Sequence, residues 1–461
     1  MLRRVKDLTR DSIAIHILTM AAPATISMLA GIAHHLINLY FVTRIGTEVT
    51  AGINAAIPAT FMVSALTQVL GTGTTVLISH SVGGKDLAAT NLLFNQSLVL
   101  SAICAAIIVI PLNVLIPAYM RTMSHETQAI EAGIDYIRWA SPAHALLFPM
   151  IALSATLRGT GVVRPSVLLF AMTVVLNAAL APVFIAGWGT GIAFGAKGAG
   201  LATSVAVVIG LAFMWAHFFW SQQSLTLRRS LLTPQLRQWW RILAIGLPAG
   251  AEFVLMFLTG AVVYFLIRDV GASAQAGFGI GLRILQTILL PGMSIASAAG
   301  PIAGQSFGAR NAARVNEVFW TAAALGTGVM LATTALVQLR STQLVGWFAS
   351  DADSAETAAI FLQLMSWTFV AQGLVYVCAY MFQSLGNTVP SLISASTRFV
   401  IFAASAAWLS QRPGFHMNQL WYLLTVSVAV QAALSLWLLR LEFRRRLPPL
   451  RTVNDPLPRS C

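Results

Sequence analysis

The chain has 461 residues, of which 57% are hydrophobic and 9% charged, against roughly 25% charged in a soluble domain. That balance excludes an ordinary soluble enzyme. The net charge is +13, but the bases form no stripe interleaved with aromatics, which excludes nucleic acid as the partner that explains them.

From the N-terminus, Arg3, Arg4, Lys6 and Arg10 precede an apolar run that starts at Ile13 and continues past Pro23 to about Phe41. The run is too long for the apolar core of a cleaved leader, so it is read as the first membrane span. Further apolar segments long enough to cross a bilayer follow at 49–80, 91–116, 131–156, 163–186 and 198–220. After a polar, basic stretch they resume at 240–267, 275–304, 315–339, 357–384, 389–409 and 417–439. Backbone in lipid must satisfy its own hydrogen bonds, and no alternating pattern points to a barrel. The expected fold is therefore an all-α integral membrane protein with twelve transmembrane helices.

The bases orient those helices. With both termini in the cytoplasm, Lys85, Arg158, Arg164, Arg228, Arg229, Arg237, Arg241, Arg310, Arg314 and the basic tail from Arg440 to Arg459 share the cytoplasmic side with the N-terminal cluster. Fewer bases, such as Arg44, Arg121, Arg138 and Arg268, fall opposite. This asymmetry predicts an inner (plasma) membrane protein, multi-pass, with both termini cytoplasmic. Trp188, Trp239, Trp240 and Trp421 fall near span ends and read as interface anchors.

The chain also repeats itself. At one constant offset Pro23 meets Pro248, Gly46 meets Gly271, and Ser81-Val82-Gly83-Gly84-Lys85-Asp86 meets Ser306-Phe307-Gly308-Ala309-Arg310-Asn311. Gly161 meets Gly386, and Pro165-Ser166 meets Pro390-Ser391. Each half holds six spans, an even number, so both halves enter from the same side. Parallel repeats about an axis along the membrane normal are an arrangement of transporters. The expected division is an N-terminal six-helix lobe at 1–220, a cytoplasmic basic linker at 221–240, and a C-terminal lobe with a basic tail at 241–461.

The candidate site begins with Glu252, in Gly246-Leu247-Pro248-Ala249-Gly250-Ala251-Glu252. By hydropathy it is the one acid that falls well inside a span. Such an acid costs about 2.5–3.5 kcal/mol to insert and usually faces a cavity or a partner. Burial penalises the ionised form, which suits a group that takes up and releases a proton. The plain alternative is a neutral Glu bonded to a neighbouring helix. His34 and His35 on the first span, beside Asn38, either relay protons near neutrality or hydrogen-bond another helix; His144 reads as structural. Arg283 and Arg398 are intramembrane bases that need partners or a wet face; either would hold Glu252 ionised if paired with it, and Arg398 can instead snorkel to the interface. Tyr40, Phe41, Met256, Phe257, Tyr264, Gln372, Tyr376 and Met381, with Arg283, are the expected substrate-cavity residues. Methionine and aromatic side chains repack readily and offer π faces to cations. Cys104, Cys378 and Cys461 lie far apart without metal spacing, and their odd number gives no disulfide framework.

Soluble-enzyme motifs fail. Gly191-Ile192-Ala193-Phe194-Gly195-Ala196-Lys197 has Ala where a phosphate-binding loop needs Gly before Lys, and Gly277-Phe278-Gly279-Ile280-Gly281 lacks the dinucleotide spacing. No catalytic residue, metal or organic cofactor is expected. The drive is then an ion gradient.

The early proline of each half, the loop glycines Gly83 and Gly304-Gln305-Ser306-Phe307-Gly308-Ala309, Arg158-Gly159-Thr160-Gly161 with Pro165, and Gly195-Ala196-Lys197-Gly198-Ala199-Gly200-Leu201-Ala202-Thr203 resemble the multidrug and toxic compound extrusion (MATE) transporters, bacterial type. The resemblance covers nearly the whole chain. It implies two six-helix bundles forming a V-shaped cavity, and export of amphipathic, often cationic, small molecules by cation-driven antiport. The partners it implies are such a substrate and membrane lipid, with the protein a monomer. It also marks departures: Asn38 stands where many members have an acid, Asn177-Ala178-Ala179-Leu180-Ala181-Pro182 has Ala181 where a second acid precedes the proline, and no acid stands near Gln372. The cation-coupling set is then Glu252, Asn38, His34, His35 and Asn177, with H+ or Na+ both open as the coupling ion. The alternatives kept are a lipid-linked precursor flippase of the same superfamily, an uncoupled facilitator, and an intramembrane enzyme.

Overall fold

A computed structural model describes residues 7–221, 225–268, 270–348, 351–412 and 416–447, without the side chains of 34–36, 39, 219 and 221. Arg3, Arg4, Lys6, Arg451, Arg459 and Cys461 lie outside the described residues, as do the side chains of His34 and His35. Helices make up most of the described chain. In order come α1 (Ile13–Thr43), α2 (Thr47–Gly83), α3 (Leu87–Met123), α4 (Thr127–Gly159), α5 (Val163–Ala186) and α6 (Ala196–Ser221), then a short 3-10 turn (Arg229–Leu231). The second series is α7 (Leu236–Leu266), α8 (Ala272–Gly308), α9 (Ala312–Gly346), α10 (Ala352–Ser366), α11 (Phe369–Ser384), α12 (Val389–Ser410) and α13 (Met417–Arg446). Eleven of these are long and apolar enough to cross a membrane, or twelve if the bent pair α10–α11 is one span.

That bent pair corrects the expectation of a continuous span at 357–384. The two helices meet at 60°, with no proline or glycine at the break. Its cause is local competition for carbonyls. Thr368 Oγ1 donates to the Met365 carbonyl at 2.6 Å and Ser366 Oγ to that of Gln363 at 2.8 Å. The neighbouring helix then serves the exposed groups: Thr334 Oγ1 donates to the Ser366 carbonyl at 3.0 Å, and Gln338 Nε2 to the Gln363 carbonyl at 3.0 Å. Side chains that take over the ladder's acceptors let a helix turn without orphaned backbone.

The repeat is written into the backbone. Lys85 and Arg310, counterparts in the two halves, both adopt the left-handed conformation, with φ of 57° and 56°. The glycine pair Gly161 and Gly386 matches likewise, at 78° and 74°. After each basic residue the following helix is capped in the same way: Asp86 accepts from the Ala89 amide at 2.8 Å, and Asn311 from the Arg314 amide at 3.0 Å. Short acidic or amide side chains at this position satisfy one of the free N–H groups of a helix start.

Two compact units emerge, and their limits do not fall at the basic linker. One contains Leu18–Leu258, the other Leu8–Ile17 together with the chain from Thr259 onward. In the first unit, α2 and the opening of α7 touch backbone to backbone. A Cβ on Gly246 would lie 2.0 Å from the Val69 carbonyl oxygen, and one on Gly73 2.1 Å from that of Ile242. Ile242 and Ile245 of α7 accordingly join the core formed by Leu70, Leu77, Phe94, Phe148 and Leu153. In the second unit, Phe278, Phe361 and Trp421 form a mutual aromatic cluster with ring centroids 4.9–5.4 Å apart.

The segment ahead of each leading helix is fastened by side chains. Before α7, residues 226–235 lie along α3, where Asn91 accepts from the Thr226 amide at 2.8 Å. Asn95 accepts from the Arg228 amide and donates to the Thr226 carbonyl. Gln96 donates to the carbonyls of Leu231 and Thr233 and accepts from the Gln235 amide. Three side-chain amides thus serve the backbone of the linker as a paired strand would. Before α1, in the second unit, Gln305 accepts from the Leu8 amide at 2.9 Å, and Arg314 donates to the carbonyls of Leu8, Arg10 and Asp11 at 2.8–3.0 Å.

Candidate functional site

Glu252 sits inside α7, beyond the close approach of Gly246 to Val69 and one turn past Pro248. Its side chain is partly buried. Close by, Phe61 of α2 stacks on both Phe253 and Phe257 of α7, with centroid distances of 4.9 and 4.6 Å. The carboxyl-bearing turn is therefore held against α2 by backbone contact before it and by ring stacking beside it. Met256 and Phe257 are 53% and 44% exposed, apolar surface on the same stretch as the acid. Phe61 was not legible as a site residue; its role depends on α7, far off in sequence.

The remaining coupling candidates divide. Asn38 lies on α1, partly buried. His34 and His35 share that helix, and their side chains fall outside the described residues. Asn177 on α5 is 1% exposed and donates from Nδ2 to Thr203 Oγ1 on α6 at 3.2 Å. Its Oδ1 is buried and accepts nothing among the described residues. It therefore joins α5 to α6 and keeps one acceptor in reserve. Ala181, where an acid was looked for, is fully buried in the small core of Val42, Ile53, Ala132 and Ile185; an ionised side chain there would lose that packing and stand uncompensated.

The expected substrate residues fall in both units. Tyr40 is 51% exposed near the end of α1, with the Arg44 guanidinium 4.3 Å over its ring. Phe41 packs against the buried core of Val42 and Ile185 and meets Trp188 edge-on at 6.1 Å. Met381 is fully buried in α11, packed inside the bundle. Tyr264 belongs to the part of α7 in the second unit, half-exposed, its ring edge-on to Phe278 at 4.9 Å. Arg283 of α8 is exposed and close enough to Tyr264 to act on it electrostatically. Gln372 and Tyr376 lie one turn apart on α11, both partly buried, where an i, i+4 pair shares a face. Arg398 does not snorkel. It reaches across to α13, donating from Nη1 to Gln431 Oε1 at 3.1 Å. His144, as read, is buried within α4.

The repeat and the helical fold recur in known proteins. The MatE family model matches residues 23–183 and again 248–409, once in each half. Among characterised relatives, the probable multidrug resistance protein YoeA of Bacillus subtilis is 22% identical over 76% of either chain. The multidrug export protein MepA of Staphylococcus aureus is 23% identical over 79% of this chain and 80% of its own. The FAD transporter of Shewanella oneidensis is 21% identical over 85% and 87%. In fold, the chain resembles a MATE crystallised in complex with MaL6, with TM-score 0.89 at 22% identity over 95% of this chain and 98% of the other. It also resembles a MOP superfamily transporter from Pyrococcus furiosus described as having a binding pocket of reverse polarity, with TM-score 0.87 at 23% identity over 95% and 97%. With the family model matched twice and over most of its length, the chain belongs to the MATE family of membrane transporters.

Proposed function

We propose that the protein is a secondary active antiporter of the inner (plasma) membrane, with both termini cytoplasmic, that exports amphipathic, often cationic, small molecules as a monomer. The observation that carries this reading is Glu252. It is an acid inside an apolar span, packed on α2 through Gly246 and Phe61, in a twice-repeated transporter fold. The likeness to the multidrug proteins YoeA and MepA supports export of many compounds. Proton or sodium binding at Glu252 biases one conformation, substrate biases the other, and the two ligands exchange through alternating access. A ligand shifts such an equilibrium only by its differential affinity for the two states. Asn38 and Asn177 are neutral polar groups and shape a site without supplying its charge.

A second reading is favoured by the FAD transporter among the relatives and by the two intramembrane arginines: export of one anionic metabolite. A lipid-linked precursor flippase and an uncoupled facilitator share the fold and differ in drive and cargo.

The test is efflux of a fluorescent cation from energised cells and inverted vesicles, comparing wild type with Glu252→Gln across pH and sodium. Wild type should export. Glu252→Gln should lose gradient dependence, with an initial rate at least tenfold lower, while expression and substrate binding persist. Export by Glu252→Gln that still follows the gradient would remove Glu252 from the coupling site.

A further inference from the structure

The transporter reading gives no work to Arg398, and the chemistry around that residue is specific. It lies near the middle of α12, in the second unit. Its bond to Gln431 turns the guanidinium inward, because Gln431 is itself only 4% exposed. Tyr376 of α11 is near enough to act on the guanidinium electrostatically. The Nε group is buried and donates to nothing among the described residues. Arginine offers five N–H donors in a planar fork and keeps its charge in proteins. One neutral amide holds it, and among the described residues of the second unit it has neither a countercharge nor a second acceptor.

No side chain described in the second unit supplies that countercharge. Asp11 precedes α1, and Glu317, Asp351, Asp353 and Glu356 stand at or near helix starts. Glu442 stands near the end of α13, engaged by Arg446 and by Asn387. Burying an unpaired charge is costly, so the guanidinium is expected to have an anionic partner that the described side chains of the second unit do not provide. Arg398, Tyr376 and Gln372 keep part of their surface exposed, while the guanidinium itself lies inward beside Gln431. Arg283, exposed beside Tyr264, adds a second cation to the same unit.

We propose that Arg398, with Gln431 and the Tyr376 hydroxyl, receives one anionic oxyacid group of the transported molecule, a carboxylate or a phosphate. The favoured cargo then has an apolar aromatic body and an acidic arm, and a plain cation is the poorer ligand. A planar oxyanion accepts two parallel N–H bonds from a guanidinium, which a lysine cannot reproduce. The inference deepens the second transport reading, export of an anionic metabolite, and rests on it.

The test uses two dyes that differ only at the group in question. Rhodamine 110 carries a free carboxylate, and rhodamine 123 is its methyl ester. Binding to the purified full chain in uncharged detergent is followed by fluorescence anisotropy. Wild type should bind rhodamine 110 about tenfold or more tighter than rhodamine 123, the scale of one charged hydrogen bond. Arg398→Gln should abolish that preference by weakening rhodamine 110 far more than rhodamine 123, and Arg398→Lys should restore part of it. A thermal melt of each variant separates misfolding from lost recognition, and Arg398→Lys serves if Arg398→Gln does not fold. Equal binding of both dyes by wild type, binding of neither, or equal losses for both on substitution would overturn the proposal and leave Arg398 as a pin between α12 and α13. Displacement of rhodamine 110 by short-chain phosphatidylglycerol but not by benzoate would assign the anion to a lipid headgroup and overturn it as well. Efflux of rhodamine 123 from cells, run in parallel, reports on the transporter reading alone, so the two ideas fail separately.

Discussion

Gly246 shows how a single missing methyl group positions the acid of α7. Any side chain there meets the Val69 carbonyl oxygen at 2.0 Å, so the two backbones must part before a Cβ fits. Overpacking of this kind costs about 1–3 kcal/mol, and any shift of α7 carries Glu252 with it. Gly246→Ala should therefore lower the thermal midpoint of the purified protein and reduce efflux. Gly260→Ala, in the same helix with nothing within 4 Å of its Cβ position, should leave both nearly unchanged. If the two variants behave alike, the close approach does not position the acid. At this scale the sequence was half legible. Glu252 stands out because it is charged where its neighbours are apolar, and the glycines around Pro248 mark a place where backbone comes close. What they approach was hidden, because Val69 and Phe61 are ordinary apolar residues of a distant helix.

Among the elements, the break between α10 and α11 has the clearest physical account. Its freed carbonyls are served by Thr334 and Gln338 of α9, and a buried acceptor left without a donor costs about 1–3 kcal/mol. Thr334→Val should destabilise the protein by that order, and Gln338→Leu by less, because the Gln363 carbonyl keeps its bond from Ser366. Thr334→Val on α9 should also raise hydrogen exchange at the amides flanking Trp367. Unchanged exchange there would mean that the bend holds without α9. Hydropathy cannot see such a break, since 357–384 is apolar throughout and carries no proline or glycine between Gln363 and Phe369. The signal was the pair Ser366 and Thr368, whose effect becomes visible only once α9 is beside them. The helix starts were better marked, because Asp86 and Asn311 cap through short-range bonds that local sequence decides.

For the whole molecule, the duplication was plain in the positions of Pro23 and Pro248 and of Gly161 and Gly386, and the family model matches at those same two places. The limits of the compact units were not, since hydropathy finds spans without saying which bundle a span packs in. The opening of α7 belongs to the first unit, and Leu8–Ile17 to the second. A consequence follows for how the chain is made. When a ribosome has released α6, the first unit still lacks Ile242, Ile245 and the Gly246 contact, and Asn91, Asn95 and Gln96 have nothing to hold. The N-terminal residues wait longer still, until Gln305 and Arg314 have been synthesised. Chains halted at Ser221 should therefore be cleared quickly by membrane proteases, whereas chains halted at Ile267 should persist, as pulse-chase labelling would measure. Equal lifetimes would mean that six helices mature unaided. The seam of the ancestral duplication is thus not where newly made protein becomes safe from degradation; quality control has to tolerate a nascent chain well past its sixth helix before the first half is complete.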